Sequence, residues 1–188
     1  MAARSPGKKA NQNGGRGIGV RLVEPRLAEH QNHPFGETRL MNRLRKTLIL
    51  KLLKQHNIMS FATVRADGFP QATTVGYAND GLDLYFCCDR VSQKVRNLRR
   101  SGKVSLTIDH DTKNWARLKG LSMGARARVL SKPGEVTRAF ELLARRFPQM
   151  RTLSKEDLAA TAFVKVTPKV ISVLDYSKGF GHTDLVRP

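Results

Sequence analysis

The stretch that decides the fold runs from Ile58 to Leu98 and reads IMSFATVRADGFPQATTVGYANDGLDLYFCCDRVSQKVRNL. It contains three runs rich in β-branched and aromatic residues, which the dipeptides Asp67-Gly68 and Asp80-Gly81 separate. An Asp-Gly pair between two such runs is the strongest short-range signal for a β-hairpin. The stretch therefore predicts a three-stranded antiparallel meander.

The third run leads into a basic helix whose opening residues are Ser92, Gln93 and Lys94. The first turn of a helix has N–H groups without helical partners, and the helix dipole favours negative charge there. Lys94 adds a full positive charge at the same place. A strand that ends on such a helix start is typical of a site for an anionic group such as phosphate.

The composition favours an anionic partner. The chain has 188 residues, with 34 Lys and Arg against 15 Asp and Glu and a formal net charge of +19. Such a charge is typical of proteins that bind nucleic acid, phosphorylated cofactors or acidic surfaces. However, the basic residues are spread over several segments without interleaved aromatic residues, which is typical of solvated basic faces. Nucleic acid is therefore retained as a partner but is not favoured.

The sequence predicts a cytoplasmic protein that does not bind membranes. No apolar run approaches the roughly 20 residues that a membrane-spanning helix needs, and no signal-peptide core is found near the N-terminus. The two cysteines, Cys87 and Cys88, are neighbours in a predicted strand, so their side chains point to opposite faces and we expect free thiols. No Cys or His pair has the spacing of a metal site, and we predict no metal.

The chain divides into a tail, one domain and a short C-terminal segment. Residues 1–34 are basic, lack a regular apolar pattern and are predicted to be disordered. Residues 35–176 are predicted to form the domain, and residues 177–188 a C-terminal tail. Within the domain, periodicity predicts helices over 37–56, 91–100 and 133–147 and strands over 58–65, 69–77, 82–88, 103–109, 118–130 and 163–174. Six mostly antiparallel strands with few helices indicate an α+β domain built on a small barrel.

The pattern over residues 48–175 resembles the pyridoxamine 5'-phosphate oxidase-like family of FMN-binding split barrels. The resemblance lies in an apolar helix, a strand Ile-Met-Ser-Phe-Ala-Thr-Val, a strand Pro-Gln-Ala-Thr-Thr-Val, the run Leu-Tyr-Phe and a Ser-x-Lys helix start. It implies a six-stranded antiparallel split β-barrel with flanking helices. It also implies a homodimer with FMN in each of two interface clefts, which transfers hydride or electrons between a reduced nucleotide and a small-molecule substrate.

The resemblance also implies a set of cofactor-binding residues. The strand that lines the flavin ring and ribityl chain corresponds to Gln71, Ala72, Thr73, Thr74 and Val75. The end of the third strand, beside the ribityl chain, corresponds to Cys87 and Cys88. The Ser-Arg-Lys run that holds the FMN phosphate corresponds to Ser92, Gln93 and Lys94. No catalytic residue is assigned, since the cofactor carries the hydride chemistry in such proteins.

Several departures from the family pattern keep other readings open. Gln93 stands in place of an arginine, which removes a bidentate phosphate partner, and Lys119-Gly120 stands in place of Arg-Gln. The C-terminal Trp-Gly-Gly-Tyr-Arg-type motif of the oxidase is replaced by the run from Asp175 to His182, so pyridoxamine phosphate is not implied as substrate. The alternatives are a relative that binds haem or a deazaflavin, and a non-catalytic protein that binds an anion or nucleic acid.

Overall fold

The computed structural model describes residues 35–188, so the predicted disordered tail over residues 1–34 lies outside the described residues. The helices are α1 (Phe35–Gln55), α2 (Gln93–Arg100), α3 (Pro133–Arg146) and α4 (Lys155–Ala160). The strands are β1 (Ile58–Val64), β2 (Pro70–Gly76), β3 (Ala78–Asp80), β4 (Asp83–Asp89), β5 (Lys103–Asp109), β6 (Lys119–Val129), β7 (Thr161–Asp175) and β8 (Thr183–Val186). None of these helices is long and apolar enough to cross a bilayer.

The strands form one antiparallel sheet in the order β2-β1-β5-β6-β7-β4-β3, and β8 adds to the C-terminal part of β7. Its two edge strands, β2 and β3, are consecutive in the chain and only Tyr77 lies between them. The sheet must therefore curl until its two edges approach each other. Tyr77 is fully buried at this closure and donates its hydroxyl to the Leu53 carbonyl of α1 at 3.0 Å. The result is an α+β split barrel with flanking helices, which confirms the predicted fold class.

The predicted strand count and meander need correction. The described residues form eight strands rather than six, because β3 and β8 are additional. Both predicted Asp-Gly turns exist, with Gly68 at φ 88° and Gly81 at φ 60°, but the second joins the additional strand β3 to β4. However, β2 pairs with β1 while β4 pairs with β3 and β7, so the three runs do not form one meander. The burial of Tyr77 separates β2 from β3 and sends the chain to the other edge of the sheet.

The strand β8 lies in the segment predicted as a C-terminal tail. It pairs antiparallel with residues 171–174 of β7, beyond the part of β7 that pairs with β4. Val186 packs against the barrel core, whereas Leu185 is exposed. One apolar contact in a short, polar segment is too weak a pattern to predict a strand, and the pairing depends on the free edge that β7 offers.

Two apolar clusters stabilise the fold. The first fills the barrel, where the rings of Phe61 and Phe86 lie 4.8 Å apart. The second lies between β4, β7 and α3 and includes Tyr85, Phe163 and Leu143. Strand β4 therefore contributes to both clusters, because its alternate side chains point to opposite faces. This alternation decides which side chains of β4 can reach the site at its end.

Two glycines of β6 lie where the strand is irregular or closely packed. The register between β6 and β7 shifts between Gly124, which pairs with Val170, and Ala125, which pairs with Pro168. A Cβ on Gly120 would lie 2.8 Å from a carboxylate oxygen of Asp109, so the two strands approach closely at this point. Glycine inside a strand is typical of such a bulge or close backbone approach.

Candidate functional site

The junction between β4 and α2 leaves backbone donors free at the start of the helix. The first hydrogen bonds of the turn run from the N–H groups of Val95 and Arg96 to the Ser92 carbonyl, at 3.1 and 3.2 Å. The N–H groups of Gln93 and Lys94 precede these bonds and point out of the helix end. The Ser92 hydroxyl does not cap the helix but lies 3.7 Å from Cys88 Sγ. Together with the half-buried Lys94, these groups can bind an anion.

A buried amide connects α2 to the two strands beside it. Asn97 is only 2% exposed, and its Nδ2 donates to Thr63 Oγ1 at 2.9 Å and to Gln71 Oε1 at 3.1 Å. Its Oδ1 accepts a hydrogen bond from Gln93 Nε2 at 2.8 Å. We call these four residues the Asn97 network. Because donors and acceptor are all used, the network fixes the position of α2 against β1 and β2.

Gln93 is held within α2 rather than directed at a ligand. Its amide nitrogen bonds to Asn97, and its Oε1 accepts from Arg96 Nη2 at 2.8 Å and Nε at 3.2 Å. Arg96 also donates from Nη1 to the Val91 carbonyl at 2.7 Å. The side chain of Gln93 thus holds a guanidinium in place near the start of the helix, and the positive charge there comes from Arg96 and Lys94.

Strand β2 divides its predicted site residues between two faces. Gln71 and Thr73 are half-buried on the face that carries the contact to Asn97, whereas Ala72 and Thr74 are exposed on the other face. Val75 is 8% exposed and belongs to the barrel core. The Oγ1 atom of Thr73 is buried and has no hydrogen-bond partner in the described residues. A buried hydroxyl without a partner costs about 1–3 kcal/mol, so Thr73 is a group to which a ligand can bond.

The two cysteines also lie on different faces, as the sequence predicts, and both are free thiols. Cys88 contacts the barrel core and Ser92, whereas Cys87 packs against the cluster beside α3. Burial raises the pKa of both thiols. Each therefore stays protonated at neutral pH and is a poor nucleophile.

The structure thus separates the predicted site residues into two sets. Those grouped around α2 are Gln71, Cys88, Ser92, Gln93 and Lys94, and Thr73 lies on the same face of β2 as Gln71. Those on other faces are Ala72, Thr74, Val75 and Cys87. Sequence reasoning missed Thr63, Arg96 and Asn97. The one available signal was Asn97 itself, a polar residue that follows Val95 and precedes Leu98 on the buried stripe of an amphipathic helix.

Comparison with known proteins identifies the family. The family model described as pyridoxamine 5'-phosphate oxidase matches residues 46–175, which is more than half of the chain. No curated protein matches the sequence. Many solved structures do, but at low identity, and these show the shared fold alone.

Three of these structures illustrate the similarity. A Listeria innocua protein assigned provisionally to pyridoxamine 5'-phosphate oxidase is 24% identical, with a TM-score of 0.58, over 70% of this chain and 98% of its own. A conserved hypothetical protein of Mycobacterium tuberculosis is 23% identical, with a TM-score of 0.62, over 73% and 89%. HutZ, the heme storage protein of Vibrio cholerae, is 20% identical, with a TM-score of 0.57, over 65% and 88%. On the family match and the split-barrel fold, this chain belongs to the pyridoxamine 5'-phosphate oxidase family.

Proposed function

We propose that the protein is an FMN-binding oxidoreductase that works as a homodimer on a small-molecule substrate. The observation that carries this proposal is the set of unused donors at the start of α2, two backbone N–H groups and the half-buried Lys94. The buried Thr73 hydroxyl on β2 is a further unused donor, on the face that contacts α2 through Gln71. A phosphate monoester needs several convergent donors and a positive charge, and these groups provide them. The residues present therefore fit a phosphorylated cofactor.

Some of these residues would bind the phosphate directly, and others would keep the binding groups in position. Lys94 and the N–H groups of Gln93 and Lys94 would hold the phosphate, and Ser92 would donate its hydroxyl to it. Thr73 would give a hydrogen bond that its buried side chain lacks in the free protein. The Asn97 network would keep α2 in register with β2, so that these donors stay together. The flavin, when bound, supplies the acceptor or donor of hydride.

The outer face of β1 and β2 supports the homodimer. Its residues are uncharged and mostly small or apolar: Ile58, Ser60, Ala62 and Val64 on β1, and Pro70, Ala72, Thr74 and Gly76 on β2. Ile58 is 59% exposed and Val64 42% exposed. In a chain that is 26% charged, an uncharged exposed face is typical of the centre of a protein interface. Ala72 and Thr74 would then face a cleft between the two subunits.

Haem binding is a second candidate function. The structural similarity to the heme storage protein HutZ, and to a heme-binding protein of Mycobacterium smegmatis at 16% identity and a TM-score of 0.59, favours it. The donors around Lys94 favour FMN instead, because they are suited to a compact phosphate. A deazaflavin that carries phosphate would use the same donors as FMN.

The first test is an absorption spectrum of the purified protein, followed by denaturation and identification of the released chromophore. We expect flavin bands and released FMN, or stoichiometric uptake of added FMN if the protein is purified colourless. A Soret band with released haem would favour the second candidate. A colourless protein that takes up neither FMN nor a deazaflavin would contradict the proposed activity. Sedimentation equilibrium of the same sample would test the homodimer.

The substitution Lys94→Ala tests the role of the helix start. We expect at least a tenfold loss of FMN affinity, because one charge-assisted hydrogen bond contributes about 1.5–3 kcal/mol. Titration of the apoprotein with FMN, followed by quenching of flavin fluorescence, measures the loss. Arg99→Ala is the matched control, since it removes an exposed positive charge from the last turn of the same helix. Equal effects of the two substitutions would exclude a specific role of Lys94.

A further inference from the structure

A second cluster of basic side chains lines a cavity that the proposed FMN site does not use. The cavity has a volume of about 440 Å³, and its walls are Leu52, Gln55, His56, His110, Arg117 and Lys119. We call it the histidine cavity. Its volume lies within the range of small-molecule sites, about 300–1,000 Å³. No carboxylate belongs to its walls, so the polar groups that line it are an amide, two imidazoles and two cations.

The cavity is brought together from distant parts of the chain. His56 follows α1, His110 follows β5, Arg117 ends the helical turn Trp115–Arg117, and Lys119 begins β6. The N–H of His110 donates to the Lys119 carbonyl at 3.3 Å, which holds the ends of β5 and β6 together. The two imidazole rings lie 5.7 Å apart with their planes at 57°. The two rings therefore lie against each other and border the same cavity, where one small ligand can contact both.

The groups around His56 shift its pKa in opposite directions. Burial, the neighbouring His110 and Arg146 of α3 lower the pKa of His56, and Asp109 at the end of β5 acts in the opposite direction. The net effect lowers the pKa of His56, so a second positive charge is costly in the free cavity. An anion bound beside the two rings would offset this repulsion and favour protonation of His56.

The two cations differ in how far they are neutralised. Lys119 is paired with Asp175 of β7 at 3.3 Å, and Asp175 is only 6% exposed. Arg117 has no ion pair within the described residues, and it is exposed at the cavity mouth. A free guanidinium next to two imidazoles is suited to a bidentate contact with an oxyanion.

We propose that the histidine cavity is a binding site for a small oxyanion, the phosphate or carboxylate group of a small molecule, held by His56, His110 and Arg117. The site takes an anion rather than a metal ion, because two imidazoles beside a guanidinium and an ammonium lack the further carboxylate or thiolate ligands that a cation needs. Within residues 35–188, no group of three potential metal ligands exists.

The histidine cavity is separate from the start of α2 within one subunit. Strand β7 connects the two places: Thr161, its first residue, pairs with Asp89 beside α2, and Asp175, its last residue, pairs with Lys119 in the cavity. They therefore lie at opposite ends of the longest strand. The inference goes beyond the proposed function, since the cavity can bind an anion whether or not the protein binds FMN.

The test is a titration of the full chain with sodium sulfate, followed by NMR of the imidazole C–H signals. Sulfate keeps its charge between pH 5.5 and 7.5, so any pH dependence comes from the protein. The variants His56→Gln and His110→Gln assign the two signals. We expect saturable shifts of both signals at pH 5.5, about tenfold weaker binding at pH 7.5, and a higher pKa of His56 with sulfate bound. Competition of phosphate and of acetate with bound sulfate then shows whether the site prefers a phosphate or a carboxylate group.

Three substitutions complete the test. Arg117→Gln should weaken sulfate binding at least tenfold at pH 5.5, and Lys113→Gln, which removes an exposed charge from the same loop, should leave it within twofold. Lys94→Gln should leave the response of the two imidazole signals to sulfate unchanged even if FMN binding is lost. The proposal is overturned if the signals of His56 and His110 do not respond to sulfate, if Lys94→Gln abolishes the response, or if Arg117→Gln and Lys113→Gln act alike.

Discussion

Polar side chains have different roles at the end of α1 and at the start of α2. At the end of α1, the guanidinium of Arg146 donates to the carbonyls of Leu53 at 3.0 Å, Lys54 at 3.1 Å and His56, and to Asn57 Oδ1 at 3.0 Å. At the start of α2, the Asn97 network is equally saturated, but beside it the donors of Lys94 and Thr73 have no partner in the described residues. We call the first arrangement the Arg146 clamp.

This difference separates structural from functional polar groups. The last carbonyls of a helix need donors, and at the end of α1 the guanidinium of Arg146 and the hydroxyl of Tyr77 provide them. Arg146 also lies 5.2 Å from the ring centre of Tyr77. Burial raises the pKa of this tyrosine to about 12, although the neighbouring Arg146 acts to lower it. Groups that are saturated in this way stabilise the fold, whereas unsaturated buried donors lower stability and are typical of binding sites.

The substitution Arg146→Ala should have the largest effect on stability. It leaves the carbonyls of Lys54 and His56 without their side-chain donor, whereas Leu53 keeps the Tyr77 hydroxyl, and we expect a loss of about 3 kcal/mol in the free energy of unfolding. Urea denaturation of both proteins measures the loss. The exposed neighbour is the control: Arg145→Ala should change stability by less than about 0.5 kcal/mol. A loss below about 1 kcal/mol for Arg146→Ala would mean that water can replace the clamp.

The substitution Asn97→Ala should cost about 2 kcal/mol, because it leaves Thr63 and Gln71 without their shared donor. We also expect weaker FMN binding, since α2 would lose its register with β2. Urea denaturation and an FMN titration measure the two effects. Gln93→Ala serves as the comparison: it removes one bond of the network and should cost about half as much. Stability unchanged by Asn97→Ala would show that the network is not structural.

The substitution Thr73→Val should change stability in the opposite direction. It replaces an unpartnered buried hydroxyl by a methyl group of similar size, so we expect the FMN-free protein to gain about 1 kcal/mol. FMN affinity should fall at the same time. Thr183→Val is the control at an exposed strand position outside the proposed site, and neither property should change appreciably. A destabilised Thr73→Val protein would indicate that the hydroxyl already has a partner.

The substitution Asp184→Asn should have a small, pH-dependent effect. Burial acts to raise the pKa of Asp184, but hydrogen bonds from Lys178 and His182 and the guanidinium of Arg45 at 2.8 Å outweigh it and leave the pKa lowered. A carboxyl with a lowered pKa in the folded state adds stability at neutral pH, and this is lost as the pH falls through that pKa.

We therefore expect Asp184→Asn to lower the free energy of unfolding by about 0.5–1 kcal/mol at pH 7. Below about pH 4 the variant and the unchanged protein should become equally stable. Thermal unfolding at a series of pH values measures it. Asp111→Asn, at an exposed loop position, should behave like the unchanged protein at every pH. A difference that persists undiminished at pH 3 would assign the effect to packing rather than to charge.

Much of the local structure was accessible from the sequence. Strand β5 has the predicted bounds, and α2 and α3 begin and end within two residues of prediction. The buried side chains of α2 include Val95 and Leu98, as its periodicity predicts. These elements are determined by the spacing of apolar residues and by turn residues such as Asp-Gly, all within a few positions of each other. The family resemblance rests on the same local pattern, and the family match supports it.

The site was predicted less completely. The pattern identified the start of α2, but it could not decide which residues of β2 and β4 face it, because alternation gives two faces without saying which one lies toward α2. The contacts that answer this question join Asn97 to residues 34 and 26 positions away. The role of the cofactor residues stays a prediction.

The sequence by itself determined the class of fold, the two Asp-Gly turns, the helix start with its basic residues and the excess of positive charge. Only the tertiary structure decided the closure of the sheet at Tyr77, the pairing of β8, the Arg146 clamp and the histidine cavity. Arg146 reaches the His56 carbonyl across 90 residues, and Arg45 reaches Asp184 across 139. The physical reason is the range of the interactions: propensity and periodicity act over one or two turns of chain, whereas these contacts exist only after the curled sheet has brought distant segments together.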